Sequence, residues 1–389
     1  MLIHTVQSGD TIFKIARKYG SSPMKIIENN ELENPDRLTV GQKLLILTPT
    51  RTYTVRGRDT LDGIAERFEV KREALQRNNP YLCGGEKLYP GQILAIKYDA
   101  PNHGIGVANG YYYNGCDSER LSLCLPYLTY LTVSCGAMKD NRVNFAFDDS
   151  AIIKQAKNMG VRCIFRIYSD SNSLNKSYIP EIMNAIKSHG YDGATIAAYR
   201  AAKESRVEYV EFLRELNEAL KKDALFLLTE IDGNEYSAVP DICDGYVTMY
   251  SKSGYEKIPT FKEGEEALFE NICENGEPSK TYIEIPSLGY IDNEEIHPKD
   301  AVKIACSSAL EILNDDESKI SYFYYNKYIG GKRERVRASY ESLDNVKAKL
   351  DMIGELGFMG IVFDIMRIPI EYLMTFSASF QKPTLYSDM

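Results

Sequence analysis

The chain has 389 residues, 44% of them hydrophobic and 26% charged, with a formal net charge of −9, a balance that suits a globular protein with a large core and excludes a disordered polyelectrolyte. No apolar run reaches the roughly 20 residues of a helical bilayer span, and the start MLIHTVQSGD has no basic patch leading into an apolar stretch, so neither a membrane partner nor a secretory signal is expected. Residues 1–98 carry 15 Lys/Arg against 11 Asp/Glu, which leaves −13 on the remainder, and so acidic a body argues against nucleic acid, whose binding rests on neutralised phosphates.

The first hundred residues hold one unit written twice. HTVQSGDTIFKIARKYG (4–20) is answered by YTVRGRDTLDGIAERFE (53–69), and LTVGQKLLIL (38–47) by LYPGQILAIK (88–97). Ile12, Ile15, Ala16 and Tyr19 stand at helical spacing, as do Leu61, Ile64, Ala65 and Phe68, which predicts an amphipathic helix in each copy. A second short helix and flanking strands complete a strand–helix–helix–strand unit, with boundaries expected at 1–49 and 50–98. Two spaced blocks that recur together resemble the lysin motif, LysM. The resemblance implies binding of peptidoglycan or chitin-like N-acetylglucosamine polymers in a shallow groove between two loops. Asp10, Thr11 and Ile12, matched by Asp59, Thr60 and Leu61, would form one wall, and Asn30 and Leu32, matched by Asn79 and Pro80, the other. Asp10 and Asp59 could equally serve as helix caps. Arg58 stands where the first copy has Gly9, which leaves the shape of the second loop open.

Strand-like and helical patterns then alternate. GVANGYYYN (106–114), LTYLTVSC (128–135), VRCIFRIYS (161–169), ATIAAY (194–199), ALFLLTEI (224–231), GYVTMYS (245–251), TYIEIPSLGY (281–290) and GIVFDIM (360–366) make eight strands. The expected fold class is α/β, a (β/α)8 TIM barrel over 99–389, with a small hairpin insertion near 320–340 (ISYFYYNKY, IGG, KRERVRASY) before the last unit. Working residues in such barrels project from the C-terminal strand ends, and there the sequence offers Tyr199, Glu230, Asp232, Glu284 and Asp364. The eight cysteines and four histidines are scattered, with no C-x-x-C and no H-E-x-x-H, so reduced thiols, no metal and no cofactor are expected.

Residues 105–380 resemble glycoside hydrolase family 18, the chitinase-like barrels, and with LysM repeats ahead of them they look most like the spore cortex-lytic N-acetylglucosaminidases of endospore formers. The match is best from GYDG (190–193) to SRVEYVEFLRELNEAL (205–220), where the family shows D-G-x-x-x-D-x-E. In that family the Glu protonates the departing oxygen, the substrate's own acetamido carbonyl attacks, and the preceding Asp steadies it. Here Asp192 and Gly193 are kept, but the second Asp falls on Ala197 and the Glu on Tyr199. A methyl group carries no charge, and a phenol is roughly six pKa units weaker than a carboxylic acid. Leu288 precedes Gly289 where the family has an aromatic, Asp364 stands at its Trp position, and the chain has no Trp at all. At GYVTMYS either Tyr250 or Ser251 takes the place of a family Tyr.

The resemblance with its acids missing implies a peptidoglycan-binding protein with an inactive, pseudo-glycosidase barrel. The implied setting is synthesis in the mother-cell cytoplasm and deposition in the spore envelope, cortex or coat, with spore coat proteins as further partners. The 28 tyrosines suit a cross-linked coat. The alternative is an active N-acetylglucosaminidase with relocated acids, Glu284 and Asp364 first, Glu230 and Asp232 next, or with Tyr199 as nucleophile. In a third reading the altered cleft docks another protein.

Overall fold

The computed structural model describes residues 1–83, 87–99, 103–115, 117–139, 142–169, 174–232, 241–249, 266–291, 294–329 and 332–382. Each repeat is a two-stranded antiparallel sheet carrying two helices: β1 (Leu2–Thr5), α1 (Ile12–Tyr19), α2 (Pro23–Asn29) and β2 (Lys43–Ile46), then β3 (Arg51–Thr54), α3 (Leu61–Phe68), α4 (Arg72–Asn78) and β4 (Ile93–Lys97). The helical stripes face inward as their spacing predicts. Ile12, Ile15 and Ala16 pack on Val6, Ile26, Leu44 and Ile46, and Leu61, Ile64 and Ala65 on Tyr53, Leu75, Leu94 and Ile96.

The rest of the chain closes a barrel. Its strands are β5 (Val107–Tyr112), β6 (Tyr130–Lys139, extended by the antiparallel β7, Arg142–Phe145), β8 (Arg162–Tyr168), β9 (Gly193–Ala197), β10 (Phe226–Asp232), β11 (Gly245–Met249) and β12 (Thr281–Glu284). The eighth, β18 (Gly360–Asp364), pairs in parallel with both β12 and β5, and β5 pairs with β6, so the ring of eight parallel strands has no edge. Its interior is filled by Val107, Tyr130, Ile164, Leu228, Val247, Tyr282 and Val362. Outside it, helices such as α7 (Ile179–His189), α9 (Arg206–Lys222) and α12 (Leu343–Glu355) bury Ile182, Ile186, Phe212, Leu216, Leu350 and Ile353 against the strands.

Two features depart from the sequence reading. TYIEIPSLGY is two strands: Pro286 cannot donate to a ladder, Ser287 takes a left-handed φ of 55°, and the chain leaves the barrel after Glu284. The expected small hairpin is part of a larger insertion: β13 (Gly289–Ile291), β14 (Glu294–Glu295), β15 (Leu313–Asn314), β16 (Ile320–Ile329) and β17 (Lys332–Glu341) form one antiparallel sheet in the order β14-β13-β17-β16-β15. Helix α11 (Pro298–Ser307) packs on one face of it, over Phe323, Val336, Ala338 and Tyr340. A fully buried pair, Glu341 with Lys349 at 2.5 Å, ties this insertion to α12.

The first repeat is docked on the insertion. Gly41, at φ 86°, lies so close to the Ile312 carbonyl that no Cβ fits, and Asn314 Nδ2 donates to its oxygen at 2.9 Å. Ile312 N donates to Val40 O at 2.8 Å, while Lys303–Glu33 (2.8 Å) and Lys43–Asp344 (2.5 Å) close the edges. The second repeat is held to the first by Lys25 Nζ donating to Asn79 Oδ1 at 2.6 Å, and to the barrel by the Tyr127 hydroxyl donating to Arg77 O at 2.7 Å. Among the described residues no helix is long and apolar enough to cross a membrane.

Candidate functional site

The repeat loops are built the same way twice. Asp10 accepts the Gln7 N–H at 2.8 Å and bonds His4 Nε2 at 2.9 Å, and Asp59 accepts the Arg56 N–H at 2.7 Å and the Tyr53 hydroxyl at 2.8 Å. These backbone amides, ahead of the His4 and Tyr53 partners, lower both carboxyl pKa values below the ordinary range. The capping role weighed for Asp10 and Asp59 therefore falls one residue later. Thr11 accepts from Lys14 N at 3.2 Å, and Thr60 from Gly63 N at 3.1 Å. Gly9 sits at φ 81°, whereas Arg58 is not among the residues of positive φ. The second turn nevertheless closes as the first does, Asp59 N to Arg56 O and Asp10 N to Gln7 O, both at 3.1 Å.

The other expected wall is different in kind. Asn30 is buried, with its amide donating to Ile26 O and Leu45 O (2.8 and 2.9 Å) and its oxygen accepting from Leu45 N (2.7 Å). Asn79 repeats this with Leu75 O, Ala95 O and Ala95 N. Both side chains staple helix to strand, and Asn30 also borders the cavity beside Leu32. Ile12, Leu61 and Pro80 are likewise buried. The residues left outward are Gly9, Thr11, Arg58 and Thr60, with Asp10 and Asp59 half-buried beside them. Leu32 lines a cavity of about 320 Å³ between the first repeat, α11 and the C-terminal helix α13 (Ile370–Ser379).

At the barrel, strand β9 ends in the fully buried Ala197, and Tyr199 opens helix α8 (Tyr199–Glu204). The Tyr199 and Asp232 side chains, and Tyr250 and Ser251 entirely, lie outside the described set. Asp192 is at the opposite, N-terminal end of β9, where its carboxylate accepts Cys163 N–H at 2.8 Å and pins two strands together.

Inside the barrel, near the C-terminal ends of β8 and β10, lies a buried pair that the sequence had not joined. Arg166 grips Glu230 with Nε to Oε1 at 2.6 Å and Nη2 to Oε2 at 2.8 Å. Its remaining nitrogen donates to Ser134 Oγ at 3.0 Å, and the Tyr111 hydroxyl donates to Glu230 Oε1 at 2.9 Å. Burial alone would lower the Arg166 pKa, but the Glu230 charge overrides it and holds the guanidinium protonated, well above its usual range. Burial first, then the Glu230 charge, pushes the Tyr111 phenol well up. Both Glu230 oxygens thus accept from Arg166, and one of them also from Tyr111. The signal for Arg166 was present: in VRCIFRIYS it shares the inward register with Ile164.

Glu284 is half-buried at the end of β12, and Asp364 is 30% exposed at the end of the adjoining β18. Glu284 pairs in register with Val362, two residues before Asp364. Asp364 caps its own turn, accepting Met366 N–H at 2.9 Å, with Arg367 Nε 4.0 Å away. Tyr113 lies in the field of both carboxylates, and burial, more than these charges, raises its phenol pKa.

Residues 4–47 and 53–97 each match the LysM domain family. The cortical fragment-lytic enzyme of Bacillus subtilis (strain 168) is 23% identical over 93% of this chain and 94% of its own length. YdhD of the same strain is 26% identical over 258 residues, 62% of this chain, and the chain spans only 60% of YdhD. Among solved structures, the spore cortex-lytic enzyme SleL of Bacillus megaterium QM B1551 matches with a TM-score of 0.75 at 19% identity, over 98% of this chain and 99% of that one. A chitinase from Chromobacterium violaceum ATCC 12472 matches at 0.62 and 13% identity, over 70% and 98%. At such identities the structural likeness establishes fold.

Proposed function

We propose, for a chain that carries two LysM domains ahead of a chitinase-like barrel, that it binds peptidoglycan through the LysM loops and holds it against a barrel that does not cut it. What supports this reading is the end of β9: Ala197, which the D-G-x-x-x-D-x-E spacing from Asp192 matches to the family's second Asp, is a fully buried methyl group there. Loss of a general acid typically costs about 100- to 10,000-fold in rate. Loss of the charge beside it removes the group that steadies the acetamido intermediate. That Arg166 holds both oxygens of Glu230 argues against Glu230 as a replacement acid. The outward Thr11, Thr60 and turn backbones, with Asp10 and Asp59 beside them, suit neutral acetamido groups, which need hydrogen bonds and not charge. The names of the cortex-lytic relatives support a spore envelope as the setting, and detection of the chain in purified spore coats tests it.

One arrangement supports the second reading, an active N-acetylglucosaminidase: Glu284 and Asp364 stand on neighbouring strands at the mouth, on either side of Tyr113's field. Incubation with cortex peptidoglycan separates the two. Retention on the polymer without released sugar supports the first reading, and product release abolished by Glu284→Gln or Asp364→Asn establishes the second.

A further inference from the structure

We propose that the outward face of the β16–β17 hairpin is a second contact surface for the polymer, one that takes carboxylate-bearing peptidoglycan and not uncharged N-acetylglucosamine chains. The proposal rests on the reading of the chain as a peptidoglycan binder. One face of the hairpin is buried under α11 through Phe323, Val336 and Ala338. Alternation sends Tyr322 and Tyr324 from one strand, and Arg333, Arg335 and Arg337 from the other, to the opposite face. The three arginines are exposed and Tyr324 is 40% exposed. Arg335 lies over the Tyr324 ring at 4.5 Å and Arg337 over the Tyr322 ring at 4.4 Å, and the two rings meet edge-on at 6.0 Å. Each guanidinium thus sits over a ring as a cation–π pair, and a guanidinium in such a pair can still donate N–H groups to a carboxylate.

Charge singles this face out. In a chain of net charge −9, other cations of the insertion are spent on carboxylates: Lys299 on Glu31, Lys303 on Glu33, Lys327 on Glu294. Among the described residues no ion pair engages Arg333, Arg335 or Arg337. Asp315 has its pKa lowered by several groups, of which Arg337 is a minor one, and it spends Oδ1 on the Glu317 and Ser318 amides. A strip of cations and aromatic rings on an acidic protein complements a polymer that offers both sugar faces and carboxylates. Peptidoglycan, whose stem peptides carry free carboxylates, is such a polymer and chitin is not. The overall negative charge disfavours the rival occupant, a nucleic acid.

The full chain, the R335A/R337A double variant and Tyr324→Ala are to be compared by equilibrium pull-down on three solids: peptidoglycan, peptidoglycan with its carboxyls amidated, and chitin beads. The double variant is expected to bind peptidoglycan about ten-fold more weakly, as two lost charge contacts require, and to bind chitin unchanged. Amidation should bring the unaltered protein down to the variant's level. Equal binding of peptidoglycan by all three proteins overturns the proposal. So does displacement of the polymer by a single-stranded oligonucleotide, which would assign the face to nucleic acid. Binding of peptidoglycan that the double variant loses entirely keeps this surface and removes the LysM reading, whereas binding of no polymer by the unaltered protein removes both. Arg335→Gln/Arg337→Gln serves as the second variant should the alanine pair melt early.

Discussion

The Arg166–Glu230 pair gives the sharpest test of how the barrel mouth is built. The Glu230 side chain is fully buried and that of Arg166 only 12% exposed, so Arg166→Met takes two charge-assisted hydrogen bonds from a carboxylate that water does not reach. Breaking such a pair from one side costs about 3–5 kcal/mol. In the double variant Arg166→Met/Glu230→Gln no uncompensated charge is left behind, and Gln still offers Tyr111 an acceptor, so the loss should fall to about 1–2 kcal/mol and the coupling between the sites should be at least about 2–3 kcal/mol, larger by whatever Glu230→Gln costs alone. The assay is urea unfolding followed by circular dichroism and, in a chain without Trp, by tyrosine fluorescence. The reasoning is refuted if the two single losses simply add in the double variant, which would mean that the carboxylate does not depend on the guanidinium and remains available for chemistry.

Three further outcomes follow from particular contacts. Burial lowers the Lys25 pKa from 10.5 to about 8, so between those values the unfolded chain holds more proton than the folded one and stability rises with pH. Below about pH 8 the penalty is present in full, about 3 kcal/mol. Lys25→Met should therefore unfold later at pH 7 and lose that part of the rise. The comparison must be of differences, because the buried Cys135 and Cys163 thiols, pushed up to about 12, pull stability the other way over the same range. Asn79→Ala, which strands three backbone groups and the Lys25 ammonium, should destabilise the second repeat by about 3 kcal/mol, read as early loss of amide protection in α4 and β4. Gly41→Ala cannot keep both its φ and its contact with Ile312, so limited proteolysis should cut between the first repeat and the barrel in the variant before the unaltered protein.

What the sequence disclosed was set by how far its signals reach along the chain. The Ile12–Ile15–Ala16 stripe and its echo at Leu61–Ile64–Ala65 are local and repeated, so the two small units were legible, and the eight apolar runs were enough for the barrel. Asn30 and Asn79 were equally visible as a repeated residue, but their bonds to Leu45 and Ala95 join positions 15 and 16 residues away, so the helix-to-strand staple was not legible. Arg166 and Glu230 are 64 residues apart and meet only when the barrel closes, so Glu230 stood among the candidate acids without the partner that occupies it. The insertion was read as a hairpin because β16 and β17 are long and contiguous, whereas β13, β14 and β15 are short strands recruited to its sheet from elsewhere.

The central claim is that this chain retains the polymer and leaves it uncut. Its most direct test is to incubate the full-length protein with cortex peptidoglycan, then measure the fraction sedimenting with the polymer and, by mass spectrometry, the sugar fragments in the supernatant. Protein is expected in the pellet, with no fragments above a protein-free control. Fragments ending in N-acetylglucosamine, lost in Glu284→Gln or Asp364→Asn, would contradict it.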